Sequence, residues 1–290
     1  MVTGGRGRLA ALVAAHFRPT VPDLTLFSRR GGDGFHPRAD LPASLVDGGV
    51  LLHLAWSTLP ATSEKGAGAE WQMDLPELEK LLQLLAAQPA ARRPHLVFFS
   101  SGGTVYGNAP GRPSVETDPL RPIGWYGRAK VAAEEMIAAH AARHDLSCTV
   151  LRISNPYGYP VPRERAQGLI PHAIRSALEG SPLTLWGDGH ARKDFIFHTD
   201  FLSALDEVVK RRLPGIHNIS SGESHSVHEI ISLVEKHTGK KIPTTQIEAP
   251  AWDVQDSRLD NRRFVSLTGW RPKVTLDEGI ARSIAVDPAI

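Results

Sequence analysis

The sequence predicts an α/β protein: a doubly wound parallel sheet, Rossmann-like, with a smaller C-terminal lobe. Three observations carry that expectation. Apolar runs of strand length alternate with helical patterns through the first half of the chain. A glycine-rich turn, Gly4-Gly5-Arg6-Gly7, leads straight into a helical pattern. Beyond about Asn155 the alternation gives way to short elements rich in proline, glycine and charge. The sheet domain is placed at residues 1–154. The smaller lobe takes 155–290, interleaved with the last sheet strands.

Taken in order, the chain opens with Met1 and Val2, a short first strand for the centre of a sheet. Gly4, Gly7 and Ala10 follow the spacing Gly-x-x-Gly-x-x-Gly with alanine last. Small residues there permit a tight turn and let backbone N–H groups approach a pyrophosphate at a helix N-terminus. The helix runs from Leu9 to Phe17, and Leu24 to Phe27 supplies the second strand of a βαβ unit. Ser28-Arg29-Arg30 follows that strand. An acid in this place would bond a ribose 2′-hydroxyl, whereas arginine accommodates a 2′-phosphate, so Arg29 favours NADP over NAD.

Gly31 to Gly49 reads as loop, too short for a full helix–strand–helix passage. A strand at Val50–Ala55, a helix at Leu75–Ala87 and a strand at His95–Phe99 come next. The helix Ala129–His144 and the strand Cys148–Ile153 complete the alternation. Shorter elements follow at Ile170–Leu178, Leu183–Trp186 and Phe201–Lys210. Ser226-Val227-His228-Glu229 is a capping box, opening a helix that stops at Gly239.

The totals exclude several classes. The chain has 290 residues, 41% apolar and 22% charged, with a net charge of +2 and no basic stripe, so no nucleic-acid partner is expected. No apolar run is long enough to cross a bilayer, and Leu9–Ala15 follows glycines rather than a basic leader. Cys148 is the only cysteine and lies in an apolar stretch, which fits a reducing cytoplasm. The thirteen histidines show no metal-ligand spacing, and no metal is expected.

Tyr126 and Lys130 lie one helical turn apart. A phenol ionises near pH ~10, and bringing it to pH 7 takes roughly 4 kcal/mol. A neighbouring ammonium together with an oxidised nicotinamide ring supplies stabilisation of that kind, making the phenol a general base for a hydroxyl undergoing hydride transfer.

Together the segments resemble the extended short-chain dehydrogenase/reductase family, in its nucleotide-sugar epimerase/dehydratase branch. The matching stretches include His53-Leu54-Ala55, Ser100 to Gly107, Tyr126-x-x-x-Lys130 and Arg152-x-x-Asn155-Pro156-Tyr157-Gly158. Gly187-Asp188-Gly189, Lys193-Asp194-Phe195-Ile196 and Asn218-Ile219-x-x-Gly222 continue them, and the likeness runs on to Gly269-Trp270-Arg271-Pro272. The resemblance implies an enzyme that holds NADP or NAD against Gly4, Gly7, Ala10, Arg29, Leu54, Ala55, Tyr126 and Lys130. It implies Tyr126 as the proton-transferring residue and Lys130 as its partner, bonded to the nicotinamide ribose. It also implies a nucleotide-sugar substrate contacted by Asn155 and Leu169.

The sequence departs from the family pattern in three places. Gly102 stands where relatives carry a catalytic hydroxyl, leaving Thr104, and after it Ser101, as substitutes. Lys193, preceded by Arg192, replaces a diphosphate-binding arginine, and Arg258 is the nearest replacement for a second. The Asp-Glu pair of related dehydratases is absent beside Thr104. The expectation is therefore oxidoreduction at C4 of a nucleotide sugar, leaning to reduction of a 4-keto sugar. The alternatives are a 4-epimerase with bound NAD and a non-catalytic nucleotide-binding module of the same fold. A homodimer is expected by resemblance, with Val131, Met136 and Ile137 offering apolar surface.

Overall fold

The computed structural model describes residues 1–45, 48–109, 111–160 and 168–286. In chain order the first elements are β1 (Val2–Thr3), α1 (Arg8–Phe17), β2 (Leu26–Ser28), β3 (His36–Pro37), α2 (Leu41–Ser44) and β4 (Val50–His53). Next come α3 (Pro60–Lys65), α4 (Asp74–Ala87), β5 (His95–Ser101), α5 (Gly102–Val105), α6 (Trp125–His144) and β6 (Cys148–Ile153). These are followed by β7 (Asn155–Tyr157), α7 (Leu169–Glu179), β8 (Leu183–Trp186), β9 (Arg192–Phe197), α8 (His198–Arg211) and β10 (Gly215–Ile219). The last are β11 (Ser224–Ser226), α9 (Val227–Thr238), β12 (Thr244–Ile247), β13 (Asp256–Ser257), α10 (Arg262–Thr268) and α11 (Leu276–Ala285).

Among the described residues, seven strands form the main sheet in the order β10-β6-β5-β4-β1-β2-β3. The pairings from β3 through β5 are all parallel. The strand order reverses at β1, the topological switch point at which doubly wound folds bind their ligands.

β1 succeeds with two residues because it is held on both sides. Val2 and Thr3 pair with Leu26 and Phe27 on one flank and with Leu52 and His53 on the other. The Met1 ammonium donates to the Val50 carbonyl at 3.0 Å, extending the same edge. The loop expected at Gly31–Gly49 contains β3 and α2, and β2 sits two residues later than its apolar run.

The chain divides into two compact units. The first comprises Met1–Ser101, Gly124–Arg152 and Leu205–His217. Its core packs Leu75, Leu78, Leu81, Leu82 and Leu85 of α4 and Ile137 of α6 with Leu51 of β4 and Leu96 and Phe98 of β5. Burying one such leucine side chain contributes about 1.5–3 kcal/mol. Ile137 is 2% exposed and belongs to this core, so it does not offer the outward apolar surface expected of it, while Met136 is partly buried against the same cluster.

α6 begins at Trp125, four residues before its patterned start, because the Glu64 carboxylate accepts from the Trp125 N–H at 2.6 Å. A buried ion pair fixes the helix lower down. Arg152 Nη2 of β6 meets Glu134 Oε2 at 2.7 Å, with the two side chains 3% and 5% exposed. Ser100 of β5 donates to the same carboxylate.

The second unit comprises Gly102–Ile123, Ile153–Ala204 and Asn218–Ile290. Its central strand, β9, pairs antiparallel with β11 and parallel with β13 and β7. β8 and β12 form a separate parallel pair. Ile170, Ile174, Phe195, Ile230, Val234 and Ile280 fill the core. α9 starts as its spacing predicts: Ser226 Oγ accepts from Glu229 N–H at 3.1 Å, and Glu229 Oε2 accepts from Ser226 N–H at 2.5 Å.

Candidate active site

In the first unit the carboxyl ends of β1 and β4 meet at Gly4. Its φ is +74°, and a Cβ there would lie 2.6 Å from the Ala55 nitrogen. No side chain fits, so the backbone after β1 lies bare beside Leu54 and Ala55. Gly7 caps α1 with no side-chain hydrogen bond, and Ala10 is on the buried face of that helix. Arg6 holds the loop after β2 in place: its guanidinium donates to the Gly31 carbonyl at 2.8 Å and the Asp33 carboxylate at 3.1 Å. This bare cradle at a helix N-terminus fits the pyrophosphate of a dinucleotide.

Arg29 is exposed just beyond β2 and lines a cavity of about 330 Å³. Among the described residues the charged groups of that lining are Arg29, Arg38, Lys80 and Glu77, three cations to one carboxylate. Arg38 and Lys80 both engage Glu77. His53, at the end of β4, is buried against Thr3, with Nδ1 2.7 Å from the threonine hydroxyl. Burial lowers its pKa to about 3, so it is neutral and serves packing.

Tyr126 and Lys130 lie in the first turns of α6. Lys130 is 3% exposed, and its Nζ donates to the Phe99 carbonyl at 2.9 Å. The ammonium stands 3.6 Å from the centre of the Trp56 ring and 4.7 Å from that of Phe98. Trp56 in turn meets Tyr126 edge to face at 6.5 Å.

Burial lowers the Lys130 pKa to about 7, against the opposing pull of Asp74, Glu134 and Glu70. Burial also raises the Tyr126 pKa, helped by the negative charges of Glu70 and Asp74. Both directions are set by the protein's own groups, apart from the nicotinamide charge on which the activated phenol also draws. Their cause is desolvation by neighbours that helical spacing does not reveal.

Those neighbours lie between β4 and α4. Asp74 accepts from Ser57 N–H at 2.9 Å and from Ser57 Oγ at 2.5 Å, yet burial still raises its pKa. Glu70 is fully buried and accepts from Thr58 with one oxygen. Its other oxygen, the Ser63 hydroxyl and the Trp56 indole N–H are buried with no hydrogen-bond partner among the described residues. Sequence reasoning missed Trp56, Glu70 and Asp74. The one available signal was the position of Trp56, immediately after His53-Leu54-Ala55.

The remaining candidates divide between the units. Ser101 closes β5 in the first, and Thr104 lies in α5 in the second. Within the second unit, strand register gathers residues far apart in sequence: Asn155 pairs opposite Phe195, and Ser257 opposite Lys193. A Cβ on Gly103 would lie 3.6 Å from Ser257 Oγ and 3.8 Å from Asn155 Nδ2, so α5 joins this cluster.

Each cation of the cluster has a partner in the unit. Lys193 Nζ bonds Asp253 Oδ1 at 2.9 Å and also the Val254 carbonyl. Arg192 donates to the Ser224 carbonyl and lies 3.4 Å from Glu229. Arg258 holds Asp256 through two bonds of 2.8 Å. Asn155 donates to the Asp194 carbonyl at 2.8 Å.

Asp194 itself is fully buried. It accepts from Ser221 N–H and Oγ at 3.0 Å each and from Gly222 N–H at 3.2 Å, yet burial raises its pKa to about 7. Leu169 opens α7 and packs on the core. Trp186 is 36% exposed and meets Trp252 edge to face at 5.1 Å, which rules out a core role. Among the described residues no three His, Cys, Asp or Glu side chains group as metal ligands, and no helix is long and apolar enough to cross a membrane.

Comparison with known proteins places this geometry in context. Residues 1–220 match the model of the NAD dependent epimerase/dehydratase family. The chain is 33% identical over 190 residues to the dTDP-4-dehydro-6-deoxyglucose reductase of Escherichia coli, covering 65% of this chain and 60% of that protein. It is 30% identical over 190 residues to the UDP-glucose 4-epimerase of Mycolicibacterium smegmatis, covering 65% and 61%. The match thus spans about three fifths of these relatives' length. The solved structure of MoeE5 in complex with UDP-glucuronic acid and NAD aligns with a TM-score of 0.81 and 29% identity, over 98% of this chain and 97% of that one. The chain belongs to the NAD dependent epimerase/dehydratase family.

Proposed function

We propose that this protein is an NAD(P)-dependent enzyme acting at C4 of a nucleotide-activated sugar, and that its net reaction is reduction of a 4-keto sugar. The observation that carries the reading is the Tyr126–Lys130 pair on α6, with Lys130 anchored to the Phe99 carbonyl. When bound, the nicotinamide supplies the hydride chemistry. Gly4, Gly7, Ala10, Leu54 and Ala55 would hold that cofactor. Tyr126 would give its phenolic proton to the oxygen on C4 as that carbon becomes an alcohol carbon. Thr104, or Ser101, would donate a hydrogen bond to the same oxygen.

Tyr126 keeps its phenolic proton at neutral pH, as the proton donor of either a reductase or an epimerase must. The Arg29, Arg38 and Lys80 lining supports NADP, since a 2′-phosphate adds negative charge to be balanced. Asn155, Leu169, Arg192, Lys193 and Arg258 would meet the substrate. A homodimer and a cytoplasmic location complete the reading. The second reading is a 4-epimerase with retained NAD, supported by the likeness to the Mycolicibacterium epimerase and to MoeE5.

The test is to denature the purified protein, identify any nicotinamide nucleotide released, and titrate the emptied protein with NADPH and NADH. Preference for NADPH, followed by its consumption with a 4-keto-sugar nucleotide, supports the reductase. Retained NAD with interconversion of UDP-glucose and UDP-galactose supports the epimerase instead. Binding of neither cofactor removes both enzymatic readings.

A further inference from the structure

We propose that Trp56 is a positioning residue for the reaction proposed above: its indole face holds the Lys130 ammonium beside Tyr126. Only the catalytic consequence rests on that reading, because the contact stands on geometry. The ammonium is 3.6 Å from the ring centre, well inside the range of about 6 Å in which an aromatic face attracts a cation. Lys130 is 3% exposed, and such a contact counts for more when the cation is desolvated than on a surface.

The environment of Lys130 leaves a place for this role. Asp74 of α4, Glu70 in the turn before α4 and Glu134 of α6 all act on its charge. Tyr126 is on its own helix, and the nearby His53 of β4 is neutral. The Phe99 carbonyl takes one hydrogen bond, at 2.9 Å. The indole supplies a broad face against the ammonium, with the Phe98 ring farther off at 4.7 Å. Trp56 is itself fixed, edge to face, by Phe98 at 6.0 Å and Tyr126 at 6.5 Å.

A second observation separates this role from space filling. The Trp56 indole N–H is buried without a partner among the described residues. Phenylalanine or leucine would avoid the cost of that orphaned donor. What tryptophan offers over both is the strongest aromatic face for a cation.

The experiment is competitive acetylation of the intact protein with acetic anhydride across pH. Peptide mass spectrometry then reads the apparent pKa of Lys130 in wild type, Trp56→Leu and Trp56→Phe. The expected result is a fall of about one unit in Trp56→Leu and less than half of that in Trp56→Phe. An unchanged value in Trp56→Leu, or equal falls in both variants, overturns the proposal. If Trp56→Leu does not fold, Trp56→Phe decides alone, a measurable fall supporting the role and none overturning it.

Activity separates this idea from the proposed function. A Lys130 shift in Trp56→Leu with an unmoved pH profile of turnover removes the positioning role and leaves the function. A wild type inactive on both substrate types removes the function, while the Lys130 shift remains readable.

Discussion

Around Tyr126 and Lys130, the first unit buries the Trp56 indole N–H, the Ser63 hydroxyl and one Glu70 oxygen with no partner among the described residues. In the second unit, Lys193, Arg192, Arg258 and Asn155 are each engaged by groups of the same unit. A buried polar group left unpaired costs about 1–3 kcal/mol, and a molecule that pairs it recovers part of that cost. A ligand of a satisfied cation must first displace a carboxylate. The two sites therefore differ in their charged groups: the cations of the second must exchange partners, although Ser257 Oγ there is also buried without a partner among the described residues.

The largest effect should come from the first unit. Tyr126→Phe removes the only group assigned to move a proton, and turnover should fall by about 10²–10⁴-fold. Cofactor titration should be unchanged, because the phenol is not part of the cradle at Gly4. A variant that keeps half its rate would sink the assignment.

Charge pairs sharpen the contrast in stability. Arg152 and Glu134 are almost fully buried, so Glu134→Ala takes the opposing carboxylate from a buried guanidinium and should cost about 3–5 kcal/mol in urea unfolding. Arg258 and Asp256 are 27% and 29% exposed, and Asp256→Ala should cost no more than about 1 kcal/mol. Equal losses would erase the distinction between an anchoring pair and an exchangeable one.

A gain should follow where a cation is set free. Asp253→Asn removes the charge opposing Lys193, a pair 21% and 13% exposed, and a nucleoside diphosphate should bind about 2–5-fold tighter. Weaker binding, read by calorimetry, would mean that Asp253 positions Lys193 rather than occupying it.

Local rules made much of this structure legible. β6 and β8 were readable from short apolar runs, and α9 from its capping box, because neighbours in sequence decide those features. The Tyr126–Lys130 spacing was readable for the same reason. Long-range partners were not. The Trp125 start of α6 depends on Glu64, 61 residues away, and Lys193 meets Asp253 60 residues later. The Trp56 contact with Lys130 joins the segment after β4 to α6, and no periodicity encodes it. Ile137 looked available on the helix and is core because α6 packs on β5. Pattern found the elements and the Tyr126–Lys130 spacing, while partners fixed by packing decided the electrostatics.

One segment of each unit should also respond to pH with opposite sign: β4 and β5 in the first, and the Ser221–Gly222 turn in the second. In the first, burial lowers His53 to about 3 and His95 to about 4, below the ordinary imidazole value of 6.5. Such imidazoles bind protons more readily in the unfolded chain, so their contribution is complete above pH 6.5 and is lost as pH falls toward 4. In the second, Asp194 is raised to about 7 from 3.8 and holds its proton more tightly when folded. Its contribution is complete below pH 3.8 and is lost as pH rises through 7. Hydrogen exchange corrected for intrinsic rates should therefore show β4 and β5 loosening from pH 7 to pH 5. The Ser221–Gly222 turn, whose amides bond Asp194, should loosen from pH 5 to pH 8. His53→Gln should flatten the first trend by on the order of 1–2 kcal/mol, and Asp194→Asn should flatten the second. Trends of the same sign in both segments would show that desolvation of Asp194 is outweighed by its hydrogen bonds, and that the carboxylate stays ionised in the folded protein.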